Sequence, residues 1–197
     1  MLKIGLTGGI ASGKSEATKI FADQHVPIID ADQVTHEILS HNAHIKQKIV
    51  SHFGSEILDN RENINRKALR NIVFRDLSEK IFLENLLHPV IISNMQHFLK
   101  TLGENSTEDY CLVVIPLLFE TNCQRFLDKV IVIDSPIDKQ IKRVMERDNI
   151  TDSQAMNIIN YQMSREQRLQ YADYIIFNNY DLFEMHNDVC TVDKIFR

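Results

Sequence analysis

The sequence predicts an α/β fold in which five strands form one parallel sheet joined by helical connections. Two observations carry that expectation. Short apolar runs at residues 2–7, 28–30, 110–115, 129–134 and 172–177 alternate with segments of helical periodicity, the order that builds a doubly wound parallel sheet. The first run leads directly into Gly8-Gly9-Ile10-Ala11-Ser12-Gly13-Lys14-Ser15, and an amphipathic helix follows. With 197 residues the chain suits one α/β domain with helical insertions, and two independent domains would be a squeeze.

The glycine-rich stretch has the spacing G-x-x-x-x-G-K-[ST] between a strand and a helix. Glycines let successive backbone N–H groups turn inward around phosphate oxygens, and the following helix aims its positive end at the same anion. A plain turn could carry such a pattern, but the strand before it and the helix after it are the context that confirms a phosphate loop. The expected nucleotide-binding set is Gly8, Gly9, Ala11, Ser12, Gly13, Lys14, Ser15 and Glu16. Lys14 would reach the β- and γ-phosphates of ATP, and the Ser15 hydroxyl would ligate Mg²⁺.

After the first helix, residues 24–30 read as a turn and a short strand ending in Asp30-Ala31-Asp32. Carboxylates at a strand's C-terminal end lie on the edge of a parallel sheet where ligands bind. Residues 33–102 then show no parallel strand. Val34, Ile38 and Leu39, then Ile45, Ile49, Val50 and Phe53, recur at helical intervals, and Gly54 stops that pattern. Asn65 to Phe74 opens another amphipathic helix. Ser78 starts a further one, which Pro89 interrupts or kinks before it resumes over 90–102. The expectation is a helical substrate-binding insertion, with a purely structural cap as the alternative. His36, His41 and His44 fall in this region without a metal-ligand pattern and read as an exposed helix face.

Residues 103–109 read as a polar loop. Residues 110–115 form a continuous apolar run suited to a strand buried on both faces, ending in Pro116-Leu117-Leu118-Phe119-Glu120 at the ligand edge. Residues 129–134 give a fourth strand of the same kind. Pro136 opens a basic helix carrying Lys139, Lys142, Arg143 and Arg147, followed by a second helical piece over 151–170 with Gln162, Arg165 and Arg168. Such a segment over 136–170 is either a solvated face or a lid that brings arginine onto a transferring phosphoryl group and excludes water. A fifth strand over 172–177 and a C-terminal helix over 180–197 complete the pattern.

Composition narrows the class. Apolar residues make up 44% and charged residues 25%, which points to neither disorder nor a membrane protein. No run is long enough to span a bilayer, and the chain opens on a strand rather than a signal peptide, so the expected compartment is the cytoplasm. Three cysteines without metal spacing read as reduced thiols, and a net charge of −5 disfavours a general nucleic-acid binder. The N-K-x-D and L-S-G-G-Q signatures are absent, which moves the reading away from GTPases and transport ATPases and toward small-molecule kinases.

The chain resembles the dephospho-coenzyme A kinase family from Lys3 to about Asn179. The match rests on Leu6-Thr7-Gly8-Gly9-Ile10-x-Ser12-Gly13-Lys14-Ser15, Ile29-Asp30-Ala31-Asp32, Arg66-x-x-Leu69, Leu87-His88-Pro89, Pro116-Leu117-Leu118-Phe119-Glu120, Lys142-Arg143 and Ala172-Asp173-Tyr174. The resemblance implies ATP-dependent phosphorylation of the ribose 3′-hydroxyl of dephospho-coenzyme A on a nucleoside-monophosphate-kinase-like P-loop NTPase fold. It implies Asp32 as the base, Asp30 as a supporting or substrate-orienting group, and Arg143 as the lid arginine, with Arg147 second. Arg66 and His88 would hold acceptor phosphate or position helices. Pro116, Leu117 and Glu120 would line the acceptor pocket, and Glu120 could instead bond a neighbouring helix. Asp32 has a structural alternative as the N-cap of the helix after the second strand. Two features depart from the family pattern: Glu16 where threonine is common, and Tyr180-Asp181 where glycine often follows the asparagines. The competing functions are another small-metabolite or nucleoside monophosphate kinase, and a non-catalytic nucleotide-binding regulatory protein.

Overall fold

The structure, a computed structural model, describes residues 1–73, 75–179 and 182–197. The expected end of one helix at Phe74 and the Tyr180-Asp181 departure lie outside the described residues. In chain order the elements are β1 (Leu2–Gly8), α1 (Lys14–Asp23), β2 (Ile28–Asp30), α2 (Ala31–His41), α3 (Ala43–Phe53), α4 (Arg66–Val73), α5 (Leu77–Asn105), β3 (Tyr110–Val114), β4 (Lys129–Asp134), α6 (Ile137–Asp148), α7 (Asp152–Asn160), α8 (Arg165–Gln170), β5 (Tyr174–Phe177) and α9 (Leu182–Phe196). The five strands pair in parallel in the order β2-β3-β1-β4-β5. They form the predicted α/β sheet.

Two compact units make up the chain: Met1–Asp30 with Asn105–Arg197, and Ala31–Glu104. In the first unit, β1 lies at the centre of the sheet and β3 and β4 flank it. Every residue of β3 is buried, as its unbroken apolar sequence requires. Ile4 and Leu6 of β1, Leu112 of β3, and Ile131 and Ile133 of β4 share one core with Ala17 and Phe21 of α1 and Met185, Val189 and Phe196 of α9. Fully burying a side chain such as Phe21 contributes about 1.5–3 kcal/mol, so α1 is fastened to the sheet directly behind the loop that precedes it. At the opposite end of the sheet the Tyr110 hydroxyl donates to Asp193 Oδ1 at 2.6 Å, and Arg197 Nε donates to the same carboxylate at 2.9 Å.

The Ala31–Glu104 unit has its own core, built from Ile38 and Leu39 of α2, Ile45, Ile49 and Phe53 of α3, Leu69 of α4 and Leu87 of α5. The single periodic stretch expected over 34–53 is two helices. Asn42 separates them, and its side chain caps α3 by accepting from the Ile45 N–H at 3.0 Å. Gly54 ends α3 as expected.

Three boundaries differ from expectation. Pro89 sits inside a continuous helix, α5, because one missing N–H removes a single rung that the rest of a 29-residue ladder and its packed face can outlast. The same helix continues through Gly103 to Asn105, which shortens the expected loop. The piece expected over 151–170 is broken into α7 and α8. Thr151 and Gln154 form a reciprocal capping box on α7, and the Ser164 hydroxyl accepts from the Gln167 N–H at 3.2 Å to start α8 anew.

Among the thiols, Cys111 is buried in β3, and burial pushes its pKa up to about 11. Cys123 and Cys190 are only half-buried. In a disulfide-exchange titration of the native protein at pH 8, Cys123 and Cys190 are expected to react and Cys111 to stay silent until denaturant is added. Prompt native labelling of Cys111 would contradict this placement.

Candidate active site

The loop from Gly9 to Gly13 leaves the C-terminal end of the central strand β1 and enters α1. Its two flanking glycines are required by space. A Cβ on Gly8 would run into the Ile133 carbonyl of β4. Gly13 has φ +102°, and a Cβ there would meet the Asn178 amide, so an L side chain is excluded on both conformational and steric grounds.

The loop carbonyls are turned toward side-chain donors. Lys14 Nζ donates to the Gly8 and Gly9 carbonyls at 2.8 and 3.0 Å. Arg143 Nη1 donates to the Ala11 carbonyl at 3.1 Å, and Asn178 Nδ2 to the Ser12 carbonyl at 2.8 Å. Among the described residues, none accepts a hydrogen bond from the N–H of Ala11, Gly13 or Ser15. The Ser12 hydroxyl is buried without a hydrogen-bond partner. Donors without acceptors, an orphaned hydroxyl and the positive end of α1 gathered at one loop are the features of an anion cradle. They fit a phosphate chain.

Cations from α6 and α8 are added to this loop. Arg143, on α6, also contacts the Ser135 hydroxyl at 3.3 Å and Asn178 Oδ1 at 3.5 Å, so three polar groups fix its guanidinium against the loop. Arg147, one turn further on, is engaged instead by Asp148 at 2.7 and 2.8 Å. Arg165, on α8, makes a two-pronged pair with Asp134 at the end of β4, at 2.8 and 2.6 Å. That bonding raises the Arg165 pKa. Arg168 is buried and donates to the Met163 carbonyl. Gln162 Oε1 accepts from the Ile10 N–H at 2.7 Å, which ties the segment between α7 and α8 to the phosphate loop.

The remaining expected residues divide between the units. Glu16 pairs with Lys19 at 2.9 Å in the first turn of α1, where a carboxylate complements the helix dipole. The Pro116 carbonyl accepts from the Thr7 hydroxyl at 3.3 Å, and Leu117 beside it is exposed. Glu120 Oε1 accepts from the Met163 N–H at 2.7 Å, so it bonds the segment between α7 and α8. Asp30 is the last residue of β2. Asp32 is the second residue of α2, inside its first turn rather than ahead of it, so it does not occupy the N-cap position. In the Ala31–Glu104 unit, Arg66 Nη1 donates to His36 Nδ1 at 3.1 Å, and His88 is half-buried within α5. Among the described residues no group of three or more His, Cys, Asp or Glu could hold a metal ion. No helix among them is long and apolar enough to cross a membrane.

Asn178, Asp134, Ser135 and Gln140 were not singled out from the sequence. Each sits at the end of β4 or β5 or on the helix that follows. A polar residue closing an apolar run at the ligand edge of a parallel sheet is the signal that marks Asp134 and Asn178.

A central-strand phosphate loop backed by a lysine and by arginines from the following helices defines a P-loop phosphotransferase of the kinase type. The dephospho-CoA kinase family model matches residues 2–184. A dephospho-CoA kinase of Gamma-proteobacterium EBAC31A08 is 42% identical over 94% of this chain and 92% of its own length. One from Coxiella burnetii is 42% identical over 91% and 88%. Among solved structures, a dephospho-CoA kinase from Campylobacter jejuni is 33% identical, covers 98% of this chain and 95% of its own, and superposes with a TM-score of 0.74. TT1252 from Thermus thermophilus, at 22% identity and a TM-score of 0.81 over 100% of this chain and 98% of its own, shares the fold. The chain belongs to the dephospho-CoA kinase family, transferases that use ATP in the final step of coenzyme A biosynthesis.

The Gly13 geometry yields a direct test. Gly13→Ala is expected to weaken ATP binding at least tenfold, because the methyl group displaces Asn178 and with it the Ser12 carbonyl. Nucleotide titration by calorimetry measures this, and unchanged affinity would mean that the loop relaxes at no cost.

Proposed function

We propose that this chain transfers the γ-phosphoryl group of ATP to the ribose 3′-hydroxyl of dephospho-coenzyme A, giving coenzyme A and ADP. The observation that carries the reading is the phosphate loop with its carbonyls held by side-chain donors, the N–H groups of Ala11, Gly13 and Ser15 left without acceptors among the described residues, and Lys14 and Arg143 joined to it. Family membership supplies the acceptor.

The roles follow from the chemistry. The loop amides, the Ser12 hydroxyl and Lys14 bind the phosphate chain and orient its terminal phosphorus. Arg143 offsets the negative charge that spreads over the transferred oxygens. A ribose hydroxyl is a poor nucleophile at neutral pH, so a carboxylate must orient it and accept its proton as the bond to phosphorus forms. We assign that role to Asp32, which follows β2 by two residues, with Asp30 orienting the acceptor. Ser15, exposed in the first turn of α1, fits as the Mg²⁺ ligand. When bound, Mg²⁺ would supply positive charge against the phosphate chain.

Residues 31–104 are assigned to the acceptor, with Arg66 and His88 as its phosphate-holding or positioning groups. Residues 136–170 are assigned to the lid. Arg147 is a reserve cation, because Asp148 would have to release it. Glu120 acts on the lid through Met163 rather than on the acceptor, and Pro116 and Leu117 line the strand edge. The partners are small molecules, with neither nucleic acid nor membrane required, and the compartment is the cytoplasm.

A coupled assay with ATP, Mg²⁺ and dephospho-coenzyme A tests donor, acceptor and chemistry together. Preference for AMP, CMP or shikimate would favour a different small-molecule kinase, and ATP binding with no acceptor phosphorylated would favour a regulatory protein. Asp32→Asn is expected to lower kcat by about 10²–10⁴, the usual contribution of a positioned base, with ATP affinity nearly unchanged. Near-normal turnover would remove Asp32 as the base. Arg143→Ala is expected to lower kcat by about 10²–10³, and steady-state kinetics would show it.

A further inference from the structure

The cations around the phosphate loop are not equivalent. Arg147 and Arg165 each hold a carboxylate, Asp148 and Asp134, through two hydrogen bonds. Arg168 holds none, although it is only 6% exposed. Among the described residues its guanidinium makes one hydrogen bond, from Nη1 to the Met163 carbonyl. The acids whose charge it feels, Glu120 and Asp134 foremost, form no ion pair with it: Asp134 pairs with Arg165 through both oxygens, and Glu120 Oε1 accepts from the Met163 N–H. Glu166 lies two residues away on the same helix, where side chains do not face each other. A buried arginine is ordinarily paired, because leaving water with no counter-charge is costly. Burial indeed depresses the Arg168 pKa.

The position of that unspent charge is specific. A Cβ built on Gly9 would lie 2.9 Å from Arg168 Nη2, so the guanidinium stands against the first turn of the phosphate loop. Lys14 Nζ reaches the carbonyl of the same residue at 3.0 Å. The two cations converge on Gly9, while Arg143 is fastened on the far side at Ala11. The other group against Gly9 is the Gln140 amide. Its Oε1 is buried without a partner while its Nε2 donates to the Ser135 carbonyl at 2.7 Å. The wall at Gly9 is therefore polar and cationic: the side-chain atoms nearest a Cβ there are those of Gln140 and Arg168.

We propose that Arg168 is a second catalytic arginine, donating from Nη2 to an oxygen of the transferred phosphoryl group on the Gly9 side while Arg143 serves the Ala11 side. No bond to carbon, nitrogen or phosphorus is made or broken by Arg168, and no proton leaves it. It supplies fixed positive charge where the transition state disperses negative charge. Met163 is the anchor that aims it: the Met163 carbonyl accepts from Nη1, and Glu120 pins the same residue through its N–H.

This proposal rests on the kinase reading, and one experiment separates the two. The full chain and its Arg168→Ala, Arg168→Gln and Arg168→Lys variants are assayed with ATP, Mg²⁺ and dephospho-coenzyme A, with folding followed by circular dichroism and thermal melting. An inactive wild type would overturn the kinase reading itself. With an active wild type, the proposal expects folded Arg168→Ala and Arg168→Gln to lose about 10²–10³ in kcat, with the KM for ATP within about threefold. It also expects millimolar guanidinium ion to restore part of the Arg168→Ala rate, whereas a loss caused by unfolding, which the melting curves identify, is not restored. Should Arg168→Ala fail to fold, Arg168→Lys decides: a folded protein with a kcat loss of about tenfold or more supports the contact. Folded variants with wild-type kcat, or losses that follow the unfolded fraction and resist guanidinium, overturn it.

Discussion

The phosphate loop can offer its N–H groups to an anion only if its carbonyls are held elsewhere, and that orientation is the constraint on which the rest of this structure depends. A peptide plane carries its acceptor on one side and its donor on the other, so fixing the carbonyl of one residue fixes the N–H of the residue that follows. Lys14, Arg143 and Asn178 hold the Gly8, Gly9, Ala11 and Ser12 carbonyls, and they come from α1, α6 and the end of β5. Elements far apart in the chain must therefore be in place before the loop has its shape. The site is a consequence of the fold rather than a motif carried by a local segment.

This dependence explains the distribution of burial. β1, β3 and β4 are almost wholly buried, and their register places the ends of β1 and β4 side by side, with Gly8 opposite Ile133. The contact that forbids a side chain at Gly8 is thus set by a strand pair in the middle of the sheet. Close packing transmits position with little slack, so a shift of β4 would be felt at the loop, at Asp134 and, through Arg165, in α8.

Local physics made much of this legible in the sequence. Five apolar runs, a glycine spacing and helical periodicity locate all five strands and the loop, because each depends on residues close together in the chain. What could not be read depends on distance. Asn178 meets Ser12 across a sequence separation of 166 residues, and nothing near either residue announces the bond. The break before α8 was different: Ser164 and Gln167 carry the spacing of a helix start, and the apolar period around them hid it. Pro89 does not interrupt α5, because the packing of the long helix absorbs the cost of one lost hydrogen bond. The family resemblance ranks Arg143 before Arg147; in the structure one contacts the loop, and the other is held by its neighbour Asp148.

That contrast extends to a general sorting of the arginines. The chain carries a net charge of −5, so carboxylates outnumber its cations. An arginine with a carboxylate partner is held in place, and its charge is largely cancelled at short range; this describes Arg147 with Asp148, Arg165 with Asp134 and Arg197 with Asp193. An arginine held only by carbonyls, hydroxyls and amides is oriented just as firmly and keeps its charge. Arg143 and Arg168 are held in that second way, and both stand against the phosphate loop. Neutral acceptors are what a phosphoryl-transfer site requires of its scaffold, because an acid placed there would position the cation while removing the field it exists to supply.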